Sequence, residues 1–358
     1  MGRLKEHRSV LLAGALMGAL GSLLAYLGNP ANTGICISCF LENAAGALGL
    51  HANARMQYLR PELLGFLLGS FAMAAVSREF RPRWRASGFA MLGFGFLMAL
   101  GSAIFIGCPI KALLRLAAGD LTALPGFAGL GAGIWLGIRL LDAAEPSVLG
   151  GEDGRTREAP LLLPLGVVIA TAVLAGLAFV PGALFESRSG GGAVHASPVW
   201  SLGAGLALGA SSQRSRFCVT GSLRDLMLTR SLWPAAGLLL ALAAAIATNV
   251  ATGQFRLGYA DQPGSHLEWA WGLLGMGLVG VVAVLAGGCP FRQIIRAGEG
   301  DLDAATATAG MLAGAALVQS WGLGGSSAGV PAAGKMVILL GLAAVLGYDP
   351  IVERLTTN

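Results

Sequence analysis

Residues 107–123 read GCPIKALLRLAAGDLTA, and residues 288–304 read GCPFRQIIRAGEGDLDA. The two stretches align without a gap at an offset of 181, and eight of 17 positions are identical. Ordinary residue frequencies give about one or two identities by chance. Each copy sits between apolar runs, 87–106 and 121–141 around the first, 268–287 and 303–321 around the second. A weaker pair agrees with it. GICISCFLENAA at 34–45 and RFCVTGSLRDLM at 216–227 place Cys36 over Cys218 at an offset of 182. The chain therefore reads as two related halves.

Each copy predicts a short helix that begins at a proline. Pro109 and Pro290 suit a first helical position, where the missing N–H is not needed. Cys108 and Cys289 then stand at helix N-termini, where unpaired N–H groups and the helix dipole favour an anion or a thiolate. Lys111 and Arg115 are four residues apart and share a helix face, and Arg292 and Arg296 repeat the arrangement. Helices of about ten residues are too short to span a bilayer. Re-entrant backbone of that kind is tolerated only where protein buries it or a cavity receives it.

The rest of the chain supplies that setting. Of its 358 residues 55% are hydrophobic and 12% charged, against about 25% charged in a soluble domain. Gly is frequent, at 55 residues, and small residues let membrane helices approach closely. Apolar spans are expected at 9–27, 61–77, 87–106, 121–141, 161–181, 198–212, 233–251, 268–287, 303–321 and 333–349. This is an all-α polytopic membrane protein with nine to ten transmembrane helices plus the short cysteine-bearing ones. The first span is long for a signal peptide and lacks a clear cleavage site, so it reads as an uncleaved helix.

The formal net charge of +5 lies in small clusters beside apolar spans. It reads as topology information, not as a nucleic-acid surface. Arg3, Lys5 and Arg8, the Arg78–Arg85 cluster, Arg155 with Arg157, and Arg214 with Arg216 all fall on one side, assigned to the cytoplasm. Segment 142–160, with Pro146, Gly150, Gly151 and Gly154, reads as a polar linker between repeat 1 at 1–141 and repeat 2 at 161–358. The topology then makes the halves inverted copies, a plan that places a transporter's site near the midplane.

The five cysteines, Cys36, Cys39, Cys108, Cys218 and Cys289, follow neither a zinc pattern nor a disulfide framework. A plain oxyanion needs cations and N–H groups but no thiols. A small anion with an exposed sulfur or selenium also has a use for weak thiol donors, and several weak sites let a solute leave as well as enter. The expected pathway residues are Cys36, Cys39, Cys108, Cys218, Cys289, Lys111, Arg115, Arg292 and Arg296. Blander roles stand beside these. Buried cysteines often serve as small hydrophobes. Arg115 and Arg296 either draw the solute or pin a turn through Asp120 and Asp301, themselves expected to cap the next helices. Arg224 and Asp225 either act or neutralise each other. His51, Arg55 and Arg60 read as a solvated mouth.

At these residues the sequence resembles the YeeE/YedE sulfur transport family. The strongest points are Arg216-Phe217-Cys218-Val219-Thr220-Gly221-Ser222 with Arg224-Asp225, and Ala286-Gly287-Gly288-Cys289. Phe105-Ile106-Gly107-Cys108-Pro109 adds to them. Gly28-Asn29-Pro30 through Cys36, Cys39 and Ala45 to His51, with Gln57-Tyr58, Arg60-Pro61-Glu62 and the run from Gly288 to Gln293, is most similar to the selenium-metabolism branch called YedE. The resemblance implies a multi-pass inner (plasma) membrane transporter with an inverted repeat and short central helices. It implies thiosulfate passed between thiols at Cys108, Cys218 and Cys289, with Cys36 in the remaining repeat position. The branch implies a selenium solute instead, and the Cys36-x-x-Cys39 pair departs from the thiosulfate-type pattern. A cytoplasmic sulfur- or selenium-handling protein is the partner so implied, beside the solute and the lipid bilayer.

Two rivals compete. One is a membrane thiol-disulfide redox protein using Cys36 and Cys39. The other is a soft-metal carrier, which would want Met or His near the thiols; His7, His51, His195 and His266 fall in or near loops. No P-loop, haem-attachment or dinucleotide motif is present, so no cofactor, metal site or enzymatic activity is expected.

Overall fold

The computed structural model describes residues 2–85, 88–143 and 157–347. Most of the proposed linker, with Arg155, lies outside the described residues. Among the described residues the helices, in chain order, are α1 Gly2–Tyr26, α2 Ile37–Ala47, α3 Pro61–Val76, α4 Gly88–Phe105, α5 Pro109–Ala117, α6 Ala123–Ala143 and α7 Leu162–Leu177. They continue as α8 Pro198–Ser215, α9 Val219–Thr229, α10 Leu232–Ala251, α11 Trp269–Leu285, α12 Pro290–Gly298, α13 Leu302–Trp321 and α14 Ala332–Leu346. Two short strands, β1 Arg83–Trp84 and β2 Arg157–Glu158, pair antiparallel at one end of the bundle.

Among the described residues five helical stretches are long and apolar enough to cross a membrane: His7–Tyr26, Gly88–Ala117, Ala123–Asp142, Leu232–Ala251 and Trp269–Gly298. Helices α3, α7 and α14 are apolar but shorter. The other long helices, α8 and α13, carry more polar residues, among them Gln213, Arg214, Asp303 and Gln319.

Two of the five stretches are broken by a sharp turn, and the turn makes the short helices. Between α4 and α5, Ile106 takes a left-handed φ of 61°; between α11 and α12, Gly287 takes one of 76°. These positions correspond at the repeat offset of 181. Glycine adopts this backbone freely, whereas a β-branched residue is strained there. At nine residues, α5 and α12 are each about 13 Å long, less than half of a hydrocarbon core. Both are buried along nearly their whole length.

Four close helix pairs build the bundle: α1 on α10, α3 on α8, α4 on α13 and α6 on α11. Glycine sets their spacing. A Cβ on Gly18 would strike the carbonyl of Ala241, on Gly69 that of Leu206, on Gly95 that of Ala307 and on Gly133 that of Gly277. In lipid, where hydrophobic burial gives helices no mutual drive, such backbone contact is a main source of association. Large apolar side chains such as Phe89, Leu162, Trp200 and Leu239 face outward.

Candidate functional site

The four short helices α2, α5, α9 and α12 each begin at a cysteine. Cys36, Cys108, Cys218 and Cys289 are the N-cap residues, all with extended backbone. The caps come in two kinds, matched between the repeat-related stretches. Cys36 Sγ accepts the N–H of Cys39 at 3.4 Å, and Cys218 Sγ accepts that of Gly221 at 3.3 Å. Cys108 and Cys289 make no such cap bond and are instead followed by Pro109 and Pro290 at the first helical position.

The helix starts meet in pairs. Ile37 N–H donates to Cys108 Sγ at 3.4 Å, joining the N-termini of α2 and α5. The Cys218 thiol donates to Cys289 Sγ at 3.4 Å, joining those of α9 and α12. Helix α2 also packs against α12, and α5 against α9, so the two pairs form one central group. All five cysteines are free thiols, and only Cys39 is partly exposed. The Cys36 thiol donates to Cys39 Sγ at 2.9 Å and lies 3.3 Å from Ser38 Oγ.

One buried cation serves each pair. Lys111, 2% exposed, reaches Cys39 Sγ at 3.9 Å and makes no ion pair among the described residues. Arg292 donates to Glu299 at 3.0 Å, while its Nη1 has no partner. The difference lies in one repeat position: Glu299 corresponds to Ala118, which offers Lys111 no carboxylate. A buried donor without a partner is costly, and both cations can still receive an anion's oxygen.

Arg115 and Arg296 are engaged elsewhere. Arg115 pairs with Asp120 at 2.7 Å and donates to the Phe105 carbonyl at 3.1 Å and to the Thr122 hydroxyl. Arg296 pairs with Asp301 at 2.9 Å and donates to the Ala286 carbonyl. Each thus ties the C-terminal end of a short helix to the turn before it. Asp301 caps α13 by accepting Ala304 N–H. Asp120 does not cap α6; one of its oxygens takes Arg115 and the other accepts Thr122 N–H in a local turn. Arg224 and Asp225 pair with each other at 2.8 Å.

A cavity of about 290 Å³ opens beside α9 and α12. Cys218, Arg292, Thr220, Arg224, Gly287 and Gly288 contribute to its lining. Glu299 closes one flank by gathering Arg292, Arg216 and Arg83, and Glu79 bridges Arg216 to Arg214.

The opposite side is covered. Segment 181–197 lies on the loop after α2: Phe185 N–H donates to Ala47 O, Ser187 N–H to Gln57 O and Gly192 N–H to Arg55 O. Here the expected solvated mouth is corrected for two of its three residues. Arg60 is buried, donating to the carbonyls of Gly191 and Val194 and to Asn29, and His51 is buried against the Glu42 carbonyl. Arg55 alone is exposed. Arg60 is consumed in fastening the cover and His51 in holding α2 at the Glu42 carbonyl, and local composition does not report that. Tyr58 stacks on His195 at 3.9 Å within it.

Sequence reading overlooked Glu299, Glu79 and Glu42. The departure of the second copy from the first at Glu299 was the one signal that marked any of them.

Among the described residues no cluster of His, Cys, Asp and Glu is arranged to hold a metal ion. Residues 214–343 match a protein-family model described as sulphur transport. The match covers 130 of the 358 residues and includes Cys218, Cys289, Arg292 and α9 to α13. No curated protein matches the chain. The matched domain and the apolar helices support a membrane transporter of sulfur compounds rather than an enzyme.

Proposed function

We propose that the protein is a multi-pass inner-membrane permease for a small anion with an exposed sulfur or selenium atom, thiosulfate or a selenium compound. Its solute passes along Cys36, Cys39 and Cys108 to Cys218 and Cys289. One observation carries this reading: thiols at paired helix N-termini stand beside Lys111 and Arg292, buried cations that retain unused donors. Oxygens of the solute take the cations and free N–H groups, and its terminal sulfur or selenium takes the thiols. Each S–H contact is weak, so no site traps the cargo. A soluble sulfur- or selenium-handling protein receives it at the cytoplasmic face, where the cavity beside Cys218 opens.

The two halves, 1–141 and 161–358, are inverted copies joined by 142–160, with nine to ten crossings. Reciprocal packing favours this: α1 on α10 answers α8 on α3, and α6 on α11 answers α13 on α4. Two backbone bridges, Asp120 to Gly258 and Asp301 to Arg83, repeat the same exchange.

Labelled thiosulfate and labelled selenite, offered separately to proteoliposomes, test the proposal. Uptake of one, saturable and dependent on the protein, is expected. Uptake of neither defeats it. The short Cys36–Cys39 contact favours one other reading, a thiol-disulfide redox protein; exchange with a dithiol reagent in the absence of any uptake would select that reading.

Arg292→Gln removes a charged donor from the cavity wall. Hydrogen bonds to charged groups are worth about 1.5–3 kcal/mol, so half-saturation for the anion is expected to rise about 10- to 100-fold. An unchanged half-saturation in uptake kinetics would remove Arg292 from the pathway.

A further inference from the structure

Glu42 belongs to none of the contacts assigned to the pathway so far. It lies on α2, six residues after Cys36, and is 9% exposed. Gln319 Nε2 of α13 donates to its carboxylate. The same amide accepts Asn53 Nδ2–H at 2.7 Å through its oxygen, and Asn53 is partly exposed. A short polar chain therefore links the buried carboxylate to the covered face of the molecule.

No cation forms an ion pair with Glu42 among the described residues. Lys111 of α5 approaches its helix face, with Nζ 3.9 Å from Cys39 Sγ, one turn before Glu42 on α2. The other helices packed on α2 are α3, α4, α12 and α13. Helix α4 carries no titratable residue. Helix α3 brings Glu62, hydrogen-bonded to Asn29 and Ser201. Helix α12 brings Arg292 and Arg296, paired with Glu299 and Asp301, and α13 brings Asp303 at its far end. An ionised carboxylate so placed depends on Lys111 for its counter-charge, because burial without one is costly.

The solute proposed above is an anion that takes the same lysine. Solute and ionised Glu42 therefore compete for one positive charge. An anion entering against a potential that is negative inside also needs positive charge to travel with it. The repeat counterpart of Glu42 is Arg224, which pairs with Asp225. The carboxylate is thus present on the α2 side alone.

We infer that Glu42 is a proton-binding site that couples solute entry to proton entry. The solute's negative charge at Lys111 withdraws the field that keeps Glu42 ionised. The carboxylate then binds one proton from the covered face, forming the neutral acid. Release of the solute on the far side restores the lysine's field and expels the proton. By reciprocity, solute binds more tightly when Glu42 is protonated. The inference rests on the transport function proposed above.

Proteoliposomes are loaded with an inward-directed proton gradient, the membrane potential being clamped, and offered labelled thiosulfate and labelled selenite in parallel. A gradient of about one pH unit is expected to raise accumulation by the wild-type protein up to about tenfold per coupled proton. Glu42→Gln is expected to accumulate solute to the same level with and without the gradient. A variant that keeps the wild-type response, or a wild-type protein that transports without responding, overturns the coupling and leaves the transport reading standing. Uptake of neither solute overturns both. Infrared difference spectra of the purified wild-type protein give a readout that needs no variant: added thiosulfate or selenite is expected to produce a protonated-carboxyl band. Absence of the band with both solutes overturns the site even where Glu42→Gln fails to reach the membrane.

Discussion

Replacing Cys289 by Ser is expected to lower solute uptake at least ~100-fold while the protein still reaches the membrane folded, a loss of about 2.7 kcal/mol in transport free energy. Serine keeps a hydroxyl at the N-cap of α12 and fits the space of the thiol, so the helix start survives. What changes is the partner offered to sulfur or selenium. A hydroxyl is a hard, short donor, whereas the thiol is soft and polarisable. Cys289 also receives the Cys218 thiol at 3.4 Å, so the substitution interrupts the hand-over between two helix N-termini. Cys108→Ser is expected to act alike on the other pair, where Ile37 N–H meets the sulfur. Uptake assays in proteoliposomes, with detergent gel filtration as the folding control, decide the matter. Uptake that survives both substitutions would end the thiol-relay mechanism.

Arg115→Met is expected to cost about 3–5 kcal/mol of stability, because it strands Asp120 as a buried, unpaired charge. The pair is 2.7 Å apart, with the arginine 1% and the aspartate 0% exposed at their side chains. The substitution also removes the donor to the Phe105 carbonyl and to the Thr122 hydroxyl, which keeps its own bond to Asp120. The first of them adjoins the break at Ile106 before α5, and the second lies in the turn after α5. Removing both charges, Arg115→Met with Asp120→Asn, is expected to recover most of the loss, since a well-packed neutral pair avoids the desolvation cost. Thermal unfolding in detergent measures both variants. A single substitution that leaves the midpoint unchanged would show that the turn does not depend on the pair.

Much of this architecture is written locally. Pro109 and Pro290 fix where α5 and α12 begin, and the preceding cysteines become N-caps as a direct consequence. The apolar runs around 87–106 and 268–287 become α4 and α11 with boundaries shifted by only a few residues. Capping and hydropathy act within one or two turns, so they can be read from neighbouring residues. The short helices at Cys36 and Cys218 are less legible, since no proline marks them and their caps rely on a sulfur accepting an N–H.

The chemistry of the site was legible by residue type and not by partnership. Lys111 and Arg292 occupy matching positions, yet Lys111 makes no ion pair among the described residues and Arg292 is bonded to Glu299. His51 and Arg60 read as solvent-facing, yet His51 is buried against the Glu42 carbonyl and Arg60 is buried on the carbonyls of segment 181–197. Such outcomes depend on which distant segments fold over a residue, and no local pattern carries that information.

The apolar helical character, the short helices that begin at Pro109 and Pro290 and the positions of their cations are legible in the sequence, because each follows from periodicity, composition or capping within a single segment. Only the tertiary structure decided which thiol meets which: Ile37, beside Cys36, reaches Cys108, and Cys218 reaches Cys289, each across 71 residues. It also decided that Arg115 and Arg296 are held by aspartates and that Lys111 meets Cys39, one turn before Glu42 on α2. The physical reason is that desolvation and ion pairing depend on distance in space, and in this fold the close approach of helices at glycine contacts sets those distances.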